Sequence, residues 1–457
     1  MKIMLVLPKF ETHIITPPLG LGYLASFLNK KGHEVIILDC VLRNIDVSEF
    51  GKILEKEKPN LVGVNAMTTY YSLSKEYISE AKRRGIITCL GGPHVSALPK
   101  QSLIETEADF VIIGEGEVSL SELAEALEKR KSFNKINGIG FKKNGKIVIN
   151  PRRELIKNID ELPMPAWELM NPKDYPMAPH GAFIKKFPST PIITTRGCPF
   201  NCSFCASKST WMQKLRYRSS KKVVDEIEFL HKKFGVQEFH FEDDNFTSNR
   251  KHAVEVCQEI INRNLKIVWA CPNGVRIDCL DSELLALMKK SGCYLLAFGI
   301  ESGNQKILDS MQKHLELFKV PKILKMVKQA GIETWGFFIL GLPGETETSA
   351  IETIRFARDN LFDRAQFCIF TPLPGSTAFD KFYSTNTPPK WENFNFFSVV
   401  YIEKLSEEKL KKLHKKAFTS FYLRPRIIFN LLKNLKIQQV KWLIKRAAQY
   451  HFFNKKI

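Results

Sequence analysis

Two successive series of short apolar runs, each alternating with amphipathic segments, restrict this chain to an α/β architecture. The first series comprises Ile3–Leu7, Glu34–Leu38, Leu61–Val64, Ile86–Leu90 and Phe110–Ile113, with helical spacing in Leu21–Lys31 and Leu73–Arg84. Fully apolar runs of this length suit a parallel sheet covered on both faces, which predicts a doubly wound, flavodoxin-like domain over residues 1–136. The second series places strands at 191–195, 236–241, 266–270, 293–300, 333–340 and 365–370. Helical patterns fill 219–234, 249–263, 281–290, 304–330 in two pieces, and 346–360. Six strand–helix units predict a partial (β/α)6 barrel over 191–375, with its chemistry at the carboxyl ends of the strands.

Between the two series, residues 137–149 read as a hairpin turning at Asn144-Gly145. Asn150 to Pro191 then holds eight of the chain's 23 prolines, including Leu162-Pro-Met-Pro-Ala-Trp167, and proline removes backbone donors. A connector over 137–190 is therefore expected. Residues 376–457 form a last region. Its aromatic start (Trp391, Phe394, Phe396, Phe397) either packs in a core or closes the barrel's open side, and helices are expected at Glu407–Tyr422 and Pro425–Lys436.

The first strand of the second series empties into Thr194-Thr-Arg-Gly-Cys198-Pro-Phe-Asn-Cys202-Ser-Phe-Cys205. Three thiols at C-x3-C-x2-C spacing in a Gly/Pro-punctuated loop read as a metal site. Three thiolates suit three corners of a cubane iron–sulfur cluster with the fourth iron open. A structural zinc site usually closes with a fourth ligand, commonly from a second C-x2-C pair, and none follows; a disulfide knot is the other alternative. The ten cysteines show no paired spacing outside this triplet, and no secretory signal opens the chain. A reducing, cytoplasmic setting is expected.

The net charge is +20, and residues 401–457 carry fifteen Lys/Arg against three Glu. Twelve of the twenty excess charges therefore sit at the C-terminal end, so a uniformly basic nucleic-acid binder is not indicated. No apolar run reaches the roughly 18 residues of a membrane span. The Ile427–Lys445 segment has the pattern of a basic amphipathic helix that lies on an anionic membrane, or of a solvated cap on the barrel.

The loops after the first strands read Pro8-Lys-Phe10, Asn65-Ala-Met-Thr68, Gly91-Gly-Pro-His94 and Gly114-Glu-Gly-Glu117. The glycines allow either tight turns or close approach of a large ligand. No Gly-x-Gly-x-x-Gly follows the first strand, which disfavours a dinucleotide site. Together with Pro17-Pro-Leu-Gly-Leu-Gly-Tyr-Leu-Ala25, this order resembles the cobalamin-binding domain of B12-dependent radical SAM proteins. The resemblance implies a corrinoid over the strand ends, with Thr68, Gly91, Gly92, Gly114, Glu115 and Gly116 as contacts. The Asp-x-His-x-x-Gly motif of other corrinoid proteins is absent, implying cobalt without a protein histidine, and His13, His33 and His94 read as ordinary loop residues.

The second series is similar to the radical S-adenosylmethionine (SAM) superfamily through all six strands. The resemblance implies that Cys198, Cys202 and Cys205 hold a [4Fe–4S] cluster whose open iron takes the amino and carboxylate groups of SAM. Phe204 fits the family's aromatic before the last cysteine. Glu242, Asp243 and Asp244 in Phe241-Glu-Asp-Asp-Asn-Phe246, Gly299 and Glu301 in Phe298-Gly-Ile-Glu-Ser-Gly303, and Gly341 in Gly336-Phe-Phe-Ile-Leu-Gly-Leu-Pro-Gly-Glu345 take the SAM-contacting positions. Phe370-Thr-Pro-Leu-Pro-Gly375 is also typical of this subgroup. Taken alone, the acidic run could be helix N-terminal residues and Gly-Leu-Pro-Gly a turn.

The paired domains imply an enzyme that cleaves SAM reductively and, with cobalamin, methylates an unactivated carbon or phosphorus of a small-molecule or lipid-like substrate. A flavodoxin or ferredoxin would supply electrons. The alternatives are ring closure, as in the anaerobic tetrapyrrole cyclases, and a non-catalytic metal- or corrinoid-binding protein. A methylthiotransferase needs three N-terminal cysteines, and only Cys40 and Cys89 precede residue 150. No residue is assigned as a catalytic acid or base.

Overall fold

The computed structural model describes residues 1–12, 14–177, 184–383 and 389–434, with side chains of 431–434 left aside. His13 and the basic segment after 434, including most of the expected membrane-facing helix, lie outside the described residues.

The first sheet has seven strands: β1 (Lys2–Leu7), β2 (Glu34–Asp39), β3 (Leu61–Asn65), β4 (Ile87–Gly91), β5 (Phe110–Ile112), β6 (Ile139–Lys143) and β7 (Lys146–Ile149), in the order β2-β1-β3-β4-β5-β6-β7. The first five are parallel, and their 2-1-3-4-5 order is that of the flavodoxin-like fold. Ile3 and Leu5 face one apolar layer while Met4 and Val6 face the other, the consequence of strand alternation in a sheet covered on both sides. The 137–149 hairpin does not belong to the connector. β6 pairs antiparallel with β5 and β7 with β6, so the hairpin extends the first sheet. It turns as expected at Asn144 and Gly145, both at positive φ. Two-residue turns need such angles, and Gly and Asn adopt them most easily.

The second sheet contains β8 (Ser189–Ile192), β11 (Glu238–Phe241), β12 (Val268–Val275), β13 (Cys293–Glu301), β14 (Glu333–Leu340) and β15 (Arg364–Ile369), all parallel and in chain order. β8 and β15 do not pair, so the barrel is open. The intervening helices start at side-chain caps, among them Ser219, Asn249, Asp281 and Thr346, whose oxygens accept otherwise unbonded backbone N–H groups.

The strand expected over 191–195 is cut. β8 stops at Ile192, and Thr195–Arg196 (β9) pairs antiparallel with Arg216–Tyr217 (β10) as a separate ribbon. The cause is Asp243, whose carboxylate accepts the N–H groups of Thr194 at 2.7 Å and Thr195 at 2.9 Å, drawing both out of the ladder.

The C-terminal region divides its work. Helix Glu407–Tyr422 packs on β15 and on helix Glu347–Asp359. The edge of β15 is satisfied by this region. The Tyr422 hydroxyl donates to Ala365 O and accepts from Ala365 N, His414 Nε2 meets Phe367 O at 2.9 Å, and Ile369 N donates to Phe396 O. An otherwise bare strand edge is thereby closed. The aromatic segment packs in a core: Trp391 and Phe394 are buried with Tyr71 and Val95 of the first domain. Trp391 Nε1 donates to Glu105 at 3.2 Å.

Candidate active site at the barrel mouth

The antiparallel ribbon β9–β10 encloses the cysteine loop. Gly197, at φ 95°, turns the chain out of β9 so tightly that a Cβ there would lie 2.2 Å from Lys214 O. The loop is then tied across the barrel: Ser203 N donates to Met311 O at 3.0 Å, and Ala378 N to Ser203 O at 2.9 Å. Cys198, Cys202 and Cys205 are unpaired and half-buried. Burial pushes the Cys198 thiol up to about 11. It also raises Cys202, against the pull of the Lys313 and Arg276 cations. Bare thiolates are therefore disfavoured at Cys198 and Cys202, and a bound metal would be needed to hold these two deprotonated.

Among the described residues no three His, Cys, Asp or Glu side chains converge on a single ion. A [4Fe–4S] cluster takes three cysteine ligands and leaves one iron open, and three half-buried thiols on one pinned loop fit that donor set. Sequence reasoning missed the cations beside them. Arg276 Cζ lies 4.0 Å from the Phe200 ring centroid and Lys313 Nζ 5.7 Å from that of Phe204. Arg276 is anchored by Asp278 and by the carbonyls of Lys313 and His314. Its signal lay in no local pattern, because residues 276 and 313 meet only through the fold.

The expected SAM-contacting residues fall at the ends of β11, β13 and β14. Glu242 is half-buried beyond β11. Asp244 is exposed beside it, and partial desolvation by the protein around it pushes its carboxyl up to about 6. Asp243 turns inward. Besides two backbone N–H groups it accepts the Thr194 hydroxyl at 2.5 Å, and that hydroxyl lies 3.0 Å from His252 Nε2. Asp243 thus braces the ribbon and offers no free oxygen to a ligand. At the end of β13, Glu301 adopts φ 69° across a bulge and pairs with Lys313 at 3.0 Å. Burial would lower the Lys313 ammonium, but Glu301 outweighs it and the pKa is raised, so Lys313 stays charged. Gly299 makes room for this pair: a Cβ would lie 2.4 Å from Glu301 Oε1. Gly341, at φ 82°, faces Leu410 of the C-terminal helix, and its N–H donates to Glu345 at 2.5 Å. Phe204 packs with Met311, Leu342 and Phe370.

At the carboxyl edge of the first sheet, Gly91 and Gly92 follow β4. Gly92, at φ 114°, approaches the Ala66 backbone so closely that a Cβ would sit 2.6 Å from Ala66 O. His94 is turned away from this edge. Its ring stacks on Tyr71 at 3.8 Å, meets Trp391 edge-on at 4.6 Å, and its Nδ1 lies 3.1 Å from Thr68 Oγ1. Burial lowers His94 to about 3, so it stays neutral. Met67 is exposed beside these glycines, and among the described residues no histidine is presented at this edge. Two expected contacts have other partners. The Thr68 hydroxyl meets His94. Both Glu115 oxygens are taken by Arg196, Arg216 and Ile156 N. Gly114, at φ 78°, and Gly116 lie against Arg152 and Leu24.

Comparison with known proteins matches both parts of the chain. Residues 192–357 match the radical SAM superfamily model and residues 11–124 the B12 binding domain model. The chain is 34% identical to an uncharacterized methyltransferase of Pyrococcus horikoshii, over 98% of this chain and 97% of that protein. The chain belongs to the B12-binding radical SAM superfamily. A further relative is the cytidylyl-2-hydroxyethylphosphonate methyltransferase of Streptomyces wedmorensis, 30% identical over 79% of this chain and 77% of that one. The fold is shared with the radical SAM methyltransferase TsrM of Kitasatospora setae, solved with cobalamin and a [4Fe–4S] cluster. The TM-score is 0.69 at 20% identity, covering 82% of this chain and 76% of that chain.

Proposed function

We propose that this radical SAM protein is a cobalamin-dependent methyltransferase acting on an unactivated carbon or phosphorus of a small-molecule or lipid-like substrate. The observation that carries the reading is the pinned three-cysteine loop at the barrel mouth, whose two flanks are fastened to the glycine loops of a B12-type domain. Cys198, Cys202 and Cys205 would hold a [4Fe–4S] cluster, and Gly91, Gly92 and Gly114 would back a corrinoid. When bound, these groups supply one-electron cleavage of the SAM carbon–sulfur bond and a transferable methyl group.

The chain's own residues do the rest. Glu242 and Asp244 present carboxylates at the mouth to a ligand's ammonium group. Lys313 and Arg276, held by Glu301 and Asp278, place positive charge beside the thiolates and oppose the desolvation of the loop. Phe200 and Phe204 cover the loop and exclude water. An external flavodoxin- or ferredoxin-type donor supplies electrons. Relation to methyltransferases, one along nearly the whole chain, supports methylation, while relatives that are anaerobic magnesium-protoporphyrin IX monomethyl ester cyclases support ring closure as the second reading.

The test is anaerobic incubation of the reconstituted protein with SAM, methylcobalamin and reductant. 5′-Deoxyadenosine should form and be abolished when the three cysteines are replaced by alanine. Its persistence in the triple variant, or failure of the protein to bind any corrinoid, overturns the assignment. Among the described residues no helix is long and apolar enough to cross a membrane. Leu423 and Phe429 are exposed where the basic C-terminal segment begins, which supports peripheral contact of a cytoplasmic protein with anionic lipid. Deleting 424–457 should abolish sedimentation with phosphatidylserine vesicles; unchanged sedimentation refutes the contact.

A further inference from the structure

The two halves of the site are joined by a buried charge cluster. Arg196, two residues before the first site cysteine, donates from Nη1 to Glu115 and from Nη2 to Glu117, both at 2.7 Å. Arg216, on the opposite strand of the ribbon, donates from Nη1 to the other Glu115 oxygen at 2.7 Å and to Ile156 O at 2.7 Å. All four side chains are at most 10% exposed. The Arg196 guanidinium is covered by Tyr23 at 4.9 Å and Trp211 at 5.6 Å. Burial alone would raise the Glu115 carboxyl, yet Arg196 and Arg216 hold it below the usual carboxylate range.

The far end of the cysteine loop is held as well. Arg152, against Gly114, donates to Thr210 O at 2.9 Å and to Ser209 O. Helix Pro93–Ala97, which follows Gly92, packs on helix Lys208–Trp211, which follows Cys205. Gly114 N also donates to Ser96 Oγ at 2.9 Å, which ties the two glycine loops to each other. Both ends of the cysteine loop are thus fastened to the loops that form the first domain's ligand edge.

We propose that the Glu115–Glu117–Arg196–Arg216 quartet is a positioning device that couples corrinoid binding at the glycine loops to cluster assembly in the cysteine loop. This rests on the cofactor reading given above. A guanidinium that bridges two carboxylates is directional, so the loops share one arrangement or lose several charge-assisted hydrogen bonds together. Coupling of this kind is reciprocal: each group raises the affinity for the other by the same factor.

The experiment titrates the full chain with hydroxocobalamin under anaerobic conditions, before and after cluster reconstitution, following the corrinoid absorbance. Chelator-driven iron loss, with and without hydroxocobalamin, gives the reciprocal measurement. The unaltered protein should bind hydroxocobalamin roughly tenfold tighter when the cluster is present, within the usual range of coupling between sites. In Arg196→Lys, which keeps the charge but loses the fork, and in Glu117→Gln, the ratio should fall towards one. A merely structural role would weaken binding in both states and leave the ratio unchanged. Equal affinities in the unaltered protein, or a ratio retained in both variants, overturns the coupling. Absence of corrinoid binding in either state overturns the cofactor reading beneath it.

Discussion

Asp243 gives the sharpest quantitative expectation, because one carboxylate both cuts the first barrel strand and braces the approach to the cysteine loop. Burial raises it from 3.8 to about 6, against the hydrogen bonds of Thr194 and Thr195. The unfolded chain then ionises first as pH rises. Below the lower value neither state is charged and nothing is lost; between the two values the folded state weakens as pH rises; above the upper value the full penalty of about 3 kcal/mol persists. Asp243→Asn removes the charge but keeps the geometry. The amide oxygen accepts both N–H groups, the amide nitrogen donates to Thr194 Oγ1, and the threonine proton turns to His252 Nε2. The variant should match the parent near pH 4 and exceed it by up to about 3 kcal/mol at pH 8. Asp243→Ala instead leaves two buried N–H groups without an acceptor, at about 1–3 kcal/mol each and at every pH. Urea unfolding of the metal-free protein by tryptophan fluorescence at both pH values measures this, with iron uptake as a second readout. The reasoning fails if the asparagine variant is as unstable as the alanine variant at pH 8, or if its advantage does not change with pH.

Three further outcomes are expected. Glu345, raised by burial from 4.5 to about 7, has the same sign as Asp243. Glu345→Gln should therefore gain up to about 3 kcal/mol over the parent as pH climbs to 8, and an equal gain at pH 4 in urea unfolding would contradict it. Gly92→Ala, forced into φ 114° against Ala66 O, should cost about 1–3 kcal/mol and weaken hydroxocobalamin binding more than tenfold; an unchanged titration curve would show that the close approach is dispensable. Glu226 is buried between Trp167 Nε1 at 2.9 Å and Arg218 at 2.6 Å, and Glu226→Ala should cost about 3–5 kcal/mol in the same unfolding assay by stranding the arginine.

Much of the architecture was legible because strands and helices write their periods locally. All eleven parallel strands overlap the apolar runs that placed them, though β12 runs on to Val275 and the first barrel strand both begins and stops early. That strand could not be read correctly, because the residue that breaks it lies some fifty positions downstream. The hairpin was recognised from Asn144-Gly145, but its attachment to β5 was not, since pairing between strands is a matter of tertiary register. The aromatic run around Trp391 announced burial without announcing that it caps the first domain.

The site divides in the same way. The amino-acid sequence alone determined the three thiols, their spacing, the glycine loops and the order of acidic and glycine segments along the barrel, because each is a short contiguous pattern. Only the tertiary structure decided how Glu115, Glu117 and Asp243 are used. All three sat in motifs that suggested ligand contacts, and all three instead hold the frame of the cysteine loop. A carboxylate's role depends on which donors reach it, and Arg196, Arg216, Thr194 and Thr195 reach these from 48 to 101 residues away. Desolvation makes such buried charges bind the nearest donor strongly, and which donor is nearest is settled by tertiary packing, within the barrel for Asp243 and between domains for Glu115 and Glu117, on which local sequence carries no mark.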